Sequence, residues 1–324
     1  MKGDLIVVFG GSGFLGKQVV RALVKRGKRV RVPMRRPHLG HELRVTGDVG
    51  QVQLMQANVR FPDSVARAME GASGVVNCVG ILGEGGAQSF GGVHREGAEN
   101  IAEAAKAAGV TRFVQVSAIG ANARSASAYA RSKAAAEKAV LDIIPTAAIL
   151  RPSIIFGPED NFFNRFADMA KFAPALPLIG GGKTKFQPVY VGDVAEAIAN
   201  ALDLESARGK VFELGGPNVY SFKQLLEYVT REIDRPRFLL PLPFFAAQPL
   251  GMLLDASFRL LPFWDAPLTG DQVTLLKKDN VVGEGARTLA DLGVTEVESV
   301  ESIVPTYLWR FRPYGQFQTR QNPA

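Results

Sequence analysis

At 324 residues, 47% apolar and 21% charged, the chain is long enough for one large domain and a smaller one, and too apolar to be disordered as a whole. The single cysteine, Cys78, excludes an internal disulfide, and the scattered histidines His38, His41 and His94 have no metal-ligand spacing, so a reducing compartment and no metal are expected. The formal net charge is +7, yet residues 1–36 hold ten Lys or Arg against the one acid Asp4. That excess reads either as a solvated helix face or as a field that attracts a phosphorylated ligand; nucleic acid is the poorer candidate, because no basic stripe is interleaved with aromatics.

An apolar strand begins at Leu5, which leaves no room for a signal peptide, and a cytoplasmic protein is expected. The first half alternates short apolar runs with Ala-rich helical stretches. Strands are predicted at Leu5 to Phe9, Arg29 to Met34, Val52 to Ala57, Gly74 to Val79, Arg112 to Ser117 and Ala147 to Leu150. Helices are predicted near Phe14 to Arg26, Ser64 to Met69, Gly97 to Ala108 and Ala128 to Leu141. This alternation predicts an α/β fold, a Rossmann-type doubly wound parallel sheet. Pro33 sits awkwardly in a strand, because it lacks a ladder donor, unless the strand is ending there.

Beyond Pro158 the pattern loosens into a loop excursion near 158–187, with Pro174, Pro177 and Gly180 to Gly182 as breakers. Regular structure returns at Phe186 to Val191, with Asp193 expected to cap a helix, and Ser221 with Gln224 forms a capping box for the next one. A Rossmann-type domain over 1–235 and a smaller C-terminal α/β domain with a tail over 236–324 are expected. Phe238 to Leu254 is uncharged, but it spans 17 residues and contains Pro241, Pro243 and Pro249, so it falls short of the roughly 20 apolar residues that cross a bilayer. Leu250, Leu253, Leu254, Phe258 and Leu261 recur at helical spacing, with Trp264 behind them. They read equally as small-domain core and as a subunit-facing or membrane-adjacent surface over 238–264.

Three motifs carry chemistry. Gly10, Ser12, Gly13, Phe14, Leu15 and Gly16 belong to a G-x-x-G-x-x-G turn between the first strand and the first helix. There, glycines permit a tight turn, backbone approach to a pyrophosphate and close helix-to-strand packing. After the second strand stand Arg35 and Arg36, with no acid between Asp4 and Glu42, so an arginine partner for a 2′-phosphate and hence NADPH is expected rather than NADH. Asn58 and Asn77 to Gly80, including Val79, fall where such folds line the adenine and ribose pockets, with Cys78 a small buried residue. Tyr129 and Lys133 form Y-x-x-x-K on one helix face, the pairing in which a lysine tunes a tyrosine and holds a ribose.

Gly10 to Gly16, Tyr129 to Lys133 and Arg151 to Pro158 resemble the extended and atypical short-chain dehydrogenase/reductase superfamily. That resemblance places the serine or threonine of active members at Ala118, one residue after Ser117. Turnover is then compromised, and Tyr129, Lys133 and Ser117 become vestigial candidates, with Ser117, Pro152 and Ser153 joining the cofactor-holding set. Gly157 to Phe166, Phe186 to Val194 and Ile303 to Arg312 are similar to the NADPH-binding accessory subunits of respiratory complex I. The resemblance implies a subunit that keeps NADPH as a structural element beside other complex I subunits. Together with the expected lack of a presequence, it suggests the bacterial version, on the cytoplasmic face of the inner membrane. The rival readings are a working NADPH-dependent reductase or epimerase, and a module that senses the cofactor's redox state and docks on a regulator.

Overall fold

The structure, a computed structural model, describes residues 4–260 and 268–317, and of residues 256–260 the backbone alone. The chain divides into two compact units, neither of them contiguous: Met1–Pro152 with Val191–Leu214 and Val282–Thr295, and Ser153–Tyr190 with Gly215–Val281 and Glu296–Ala324. Residue 235 falls within the second.

The first unit is built on seven parallel strands: β1 (Leu5–Phe9), β2 (Arg29–Met34), β3 (Val52–Gln56), β4 (Gly74–Asn77), β5 (Arg112–Val116), β6 (Ala148–Pro152) and β7 (Val211–Leu214). Their order across the sheet is β7-β6-β5-β4-β1-β2-β3. Every residue of β1 is buried, which is why its sequence is an unbroken apolar run and not an alternation. The strands alternate with helices α1 (Phe14–Lys25), α2 (Pro62–Met69), α3 (Glu96–Ala107), α4 (Ala128–Ile143) and α5 (Val191–Asp203). Helices α2, α3 and α4 bury Val65, Met69, Ile101 and Val140 against Val7, Phe9, Val75 and Phe113, while α1 packs against α5. The chain order reverses between β1 and β4, and a doubly wound sheet opens a crevice at the carboxyl ends of its strands at such a point.

Pro33 is accommodated because β1 pairs with β2 only as far as Arg31, so the missing donor lies beyond β1's reach. The regular structure expected at Phe186 to Val191 takes the form of two short strands, Lys185–Phe186 and Val189–Tyr190, and Pro188 between them has no N–H for a ladder. One local expectation needs correction. Asp193 does not precede the helix but lies inside the first turn of α5, where a carboxylate still faces the positive helix end.

The second unit gathers Phe156, Phe163, Leu176, Leu226, Val273 and Leu308 into one core. Its short strand pairs are Ile155–Phe156 with Val189–Tyr190, Ala175–Ile179 with Phe238–Leu242, and Lys185–Phe186 with Tyr220–Ser221. The capping box of Ser221 and Gln224 starts the helix Phe222–Glu232, as its sequence predicts. In the helix Phe244–Leu260, Leu250 and Leu253 are exposed, as are Phe245 and Met252 nearby. The side chain of Phe258, and residues Leu261 and Trp264, lie outside the described residues. No helix among the described residues is long and apolar enough to cross a membrane.

Three basic residues of the N-terminal segment are paired with acids of the first unit. Lys17 pairs with Glu42 at 2.8 Å, Arg26 with Glu196, and Lys28 with Asp4 at 2.7 Å. Asp4 also accepts from Arg112 and Ser73, and Arg112 reaches Asp203 at 3.1 Å. Burial alone would raise the Asp4 carboxyl, but the hydrogen bonds from Arg112, Lys28 and Ser73 outweigh it and hold its pKa well below the ordinary range. A depressed carboxyl stabilises the fold fully above its unfolded value of about 3.9 and loses that contribution as pH falls below it. Asp4→Asn is therefore expected to cost about 1–3 kcal/mol at pH 7. In chemical denaturation the gap to the unsubstituted protein narrows below about pH 4. A gap that is the same at pH 7 and pH 3 contradicts this account.

Candidate functional site

The turn after β1 is shaped by absent side chains. Gly10 has φ +76°, and a Cβ there would lie 2.9 Å from the Cys78 carbonyl carbon, so the turn lies directly against the end of β4. A Cβ on Gly16 would come within 2.1 Å of the Gly10 carbonyl oxygen, so α1 begins with its backbone pressed onto the turn. Gly13 stands at the N-cap of α1 with no side-chain cap, and Ser12 and Gly13 are exposed while Leu15 and Gly16 are buried. The amide groups of the first turn are thus left for an anion.

Beside the ends of β2 and β3 lies a cavity of about 300 Å³ lined by Arg35, Gln56, Asn58, Phe61, Ser64 and Arg67, together with Ala57. No carboxylate lines it. Arg35 and Arg36 are both exposed and neither is paired among the described residues, in contrast to Lys17, Arg26 and Lys28. Only Arg35 of the two lines the cavity. Asn58 shapes the wall: its carboxamide oxygen accepts from Arg60 N–H at 3.2 Å, and its own N–H donates to Ser64 Oγ at 3.0 Å. Arg67, Phe61 and Ser64 were not legible as site residues, because their spacing on and before α2 follows no motif.

At the carboxyl ends of β4 and β5, α4 brings Tyr129 and Lys133 together. The Lys133 ammonium lies 5.9 Å from the Tyr129 ring centre and 3.4 Å from the Val116 carbonyl oxygen. Burial pulls Lys133 down to about 8 and pushes the Tyr129 phenol up to about 12. Ser117, the residue after Val116, is buried, and its hydroxyl is the one buried side-chain polar atom among the described residues without a hydrogen-bond partner. An orphan of this kind needs an explanation, and a bound polar group is one. Ala118 presents a methyl group where the resemblance expects a hydroxyl. Cys78 is half-buried, not fully buried as expected, and burial around its thiol pushes it up to about 12, as fits a packing residue and not a nucleophile.

Val79 N–H donates to the Asn77 carboxamide oxygen at 3.0 Å, and a Cβ on Gly80 would lie 3.2 Å from Lys133 Nζ. The backbone after β4 is therefore wedged between the glycine turn and the lysine. The uncapped α1, the arginine-lined cavity, the orphaned Ser117 hydroxyl and the buried Lys133 all belong to the first unit and are of a kind that could hold a dinucleotide's successive parts: pyrophosphate, adenosine and nicotinamide ribose. Pro152 closes β6, and its carbonyl accepts from Ile119 N–H at 3.0 Å. Ser153 belongs to the second unit, where its hydroxyl is engaged with the Asn280 carboxamide oxygen at 2.6 Å. Among the described residues no group of His, Cys, Asp and Glu is placed to hold a metal ion.

The sequence profile of the NAD dependent epimerase/dehydratase family matches residues 6–215. A mitochondrial protein of Arabidopsis thaliana named NADH dehydrogenase (ubiquinone) 1 alpha subcomplex subunit 9 is 40% identical, over 90% of this chain and 74% of its own length. The Mus musculus protein of the same name is 38% identical over 95% of this chain and 82% of its own. The 40 kDa subunit of Neurospora crassa NADH-ubiquinone oxidoreductase is 31% identical over 96% and 80%. Among solved structures, the NADPH-dependent quinone oxidoreductase QOR2 of Escherichia coli, complexed with NADPH, superposes with a TM-score of 0.72 at 19% identity, over 94% of this chain and 99% of its own, a likeness of fold. The chain belongs to the NAD dependent epimerase/dehydratase family and, within it, to the group of complex I subunits formed by the alpha subcomplex subunit 9 proteins.

Proposed function

We propose that this protein is an accessory subunit of respiratory complex I that holds NADPH as a structural cofactor without turning it over, and so supports the assembly or stability of the peripheral arm. The observation that carries the proposal is identity of 38–40% to complex I subunits across 90–95% of the chain. In this reading the amides of Phe14 to Gly16 take the pyrophosphate, Arg35 the 2′-phosphate, and Val79, Gly80, Tyr129 and Lys133 the nicotinamide ribose. Its partners are other complex I subunits. Its place is peripheral, in a bacterial complex the cytoplasmic face of the inner membrane. The exposed Phe238, Leu240, Phe245 and Leu253 support a docking face within 238–254.

Bound nicotinamide supplies a hydride in active relatives of this fold. The protein's own groups here support holding it instead. A phenol held near 12 is a weak proton donor at neutral pH, because general acids work best with pKa values near the working pH. Ala118 adds no hydroxyl beside it.

Arg35→Asp replaces a phosphate partner with a repelling charge, and charge-assisted hydrogen bonds contribute about 1.5–3 kcal/mol, or roughly ten- to hundredfold in affinity. Titration calorimetry is expected to show NADPH weakened by that factor and NADH unaffected or improved. Unchanged NADPH affinity removes Arg35 from the role. Lys133→Ala is expected to loosen NADPH by a similar factor and, through the lost ligand, to deplete the subunit from complex I purified out of solubilised membranes. Tyr129→Phe should leave NADH:quinone turnover by the assembled complex intact. If the isolated subunit reduces a substrate with NADPH, and Tyr129→Phe abolishes that activity while sparing cofactor binding, Tyr129 is a working acid and the proposal fails. A chain that purifies free of the complex from solubilised membranes contradicts the accessory role.

A further inference from the structure

His94 was one of three scattered histidines in the sequence, with no motif around it. In the fold it is buried, and both ring nitrogens are engaged. Ile81 N–H lies 2.9 Å from Nε2, and Ser132 Oγ lies 2.8 Å from Nδ1. A backbone amide can only donate, so Nε2 accepts and the ring proton sits on Nδ1, directed at Ser132. Ser132 passes the chain on, its hydroxyl donating to the Tyr129 carbonyl at 2.7 Å. Burial, and then the nearby Lys133 ammonium, push the imidazole down to about 3, so it stays neutral at physiological pH and keeps the lone pair that Ile81 needs. The ring is held flat by Phe90, stacked at 5.4 Å, and edge-on by Tyr129 at 5.6 Å.

The two ends of this chain are the two walls of the ribose end of the cleft. On one side, the backbone after β4 is tied at Val79 by Asn77 and at Ile81 by His94, a tether on either side of Gly80. On the other, Ser132 adjoins Lys133, and its acceptor is the carbonyl of Tyr129. His94 itself stands on a single wide turn, Gly91–Arg95, with π-helical hydrogen bonding, just before α3. Such turns concentrate at functional sites, because the extra residue re-aims a side chain that a regular helix would point elsewhere.

We infer that His94 is a positioning residue that fixes the spacing between the Gly80 backbone and the Tyr129–Lys133 pair, and so preforms the ribose end of the nucleotide site. This rests on the cofactor-holding reading above. Preforming a site raises affinity by removing the ordering cost from the binding step.

The test separates the two nitrogens. A glutamine amide oxygen reaches the place of Nε2 and retains the bond from Ile81, while an asparagine amide reaches only the place of Nδ1. Hydrogen exchange at the Ile81 amide is read on the nucleotide-free protein, and NADPH affinity by calorimetry. In His94→Asn and His94→Ala, Ile81 exchange should accelerate and NADPH affinity should fall about tenfold, the size of one lost hydrogen bond of about 1.4 kcal/mol. His94→Gln should retain most of both. Ser132→Ala, a smaller change to the core, should weaken NADPH in the same direction if the larger substitutions impair folding. Ile81 exchange at the original rate in His94→Asn overturns the inference, as does faster exchange with unchanged affinity, since the ring would then only fill space. An unsubstituted protein that binds no NADPH overturns the cofactor reading and this inference with it. The exchange data then still show whether the tether exists.

Discussion

Helix α1 can begin where it does because nothing stands between Gly16 and the carbonyl of Gly10. With the 2.1 Å approach that any Cβ would make, the helix would have to be pushed off the turn, and its free amides would no longer face the ends of β1 and β4. The same closeness on the other side of the turn, between Gly10 and Cys78, brings the backbone after β4 alongside. From there it is a short step to Gly80, Lys133 and His94. The two ends of the cleft, at the glycine turn and at Gly80 with Lys133, are therefore not independent. Both are set by how tightly a few residues without side chains let the backbone segments meet.

Electrostatics then sort the ligand. Lys17, Arg26 and Lys28, near the N-terminus, are engaged with the fold itself, in pairs with Glu42, Glu196 and Asp203. Arg35 is different, exposed on a cavity with no carboxylate in its lining and with Arg67 on the same wall. A charge without a partner beside a pocket is worth more to an anionic ligand than a larger net charge dispersed in ion pairs. At the other end stand a neutral His94, a neutral Tyr129 and an orphaned Ser117 hydroxyl, which the proposed function reads as holding a ribose and not as moving protons.

Much of this was legible in the sequence because it depends on local pattern. The strands Leu5–Phe9 and Arg29–Met34 match their predicted bounds, and Tyr129 with Lys133 share a helix face by spacing alone. The strand Val211–Leu214 escaped notice, being four residues long with Glu213 inside it, a residue whose carboxylate is taken up by Gly283 N–H at 2.8 Å. Charge counting found the basic segment but not the pairing of Lys17, Arg26 and Lys28, since Glu42, Glu196 and Asp203 come from later in the chain. His94 and Arg67 act through neighbours brought close only by folding, and no spacing rule reports such meetings. Ser153 shows the reverse: a residue inside a recognisable motif whose hydroxyl is bonded to Asn280, 127 positions away.

The central claim is that a dinucleotide carrying a 2′-phosphate stays in this cleft while electrons pass elsewhere. The direct measurement is mass spectrometric identification and quantification of the nucleotide released from purified complex I, before and after sustained NADH:quinone turnover. The account predicts NADPH in a one-to-one ratio with this subunit, unchanged in amount and redox state by turnover. Recovery of NAD(H), of no nucleotide, or of NADPH that is oxidised as turnover proceeds would contradict it.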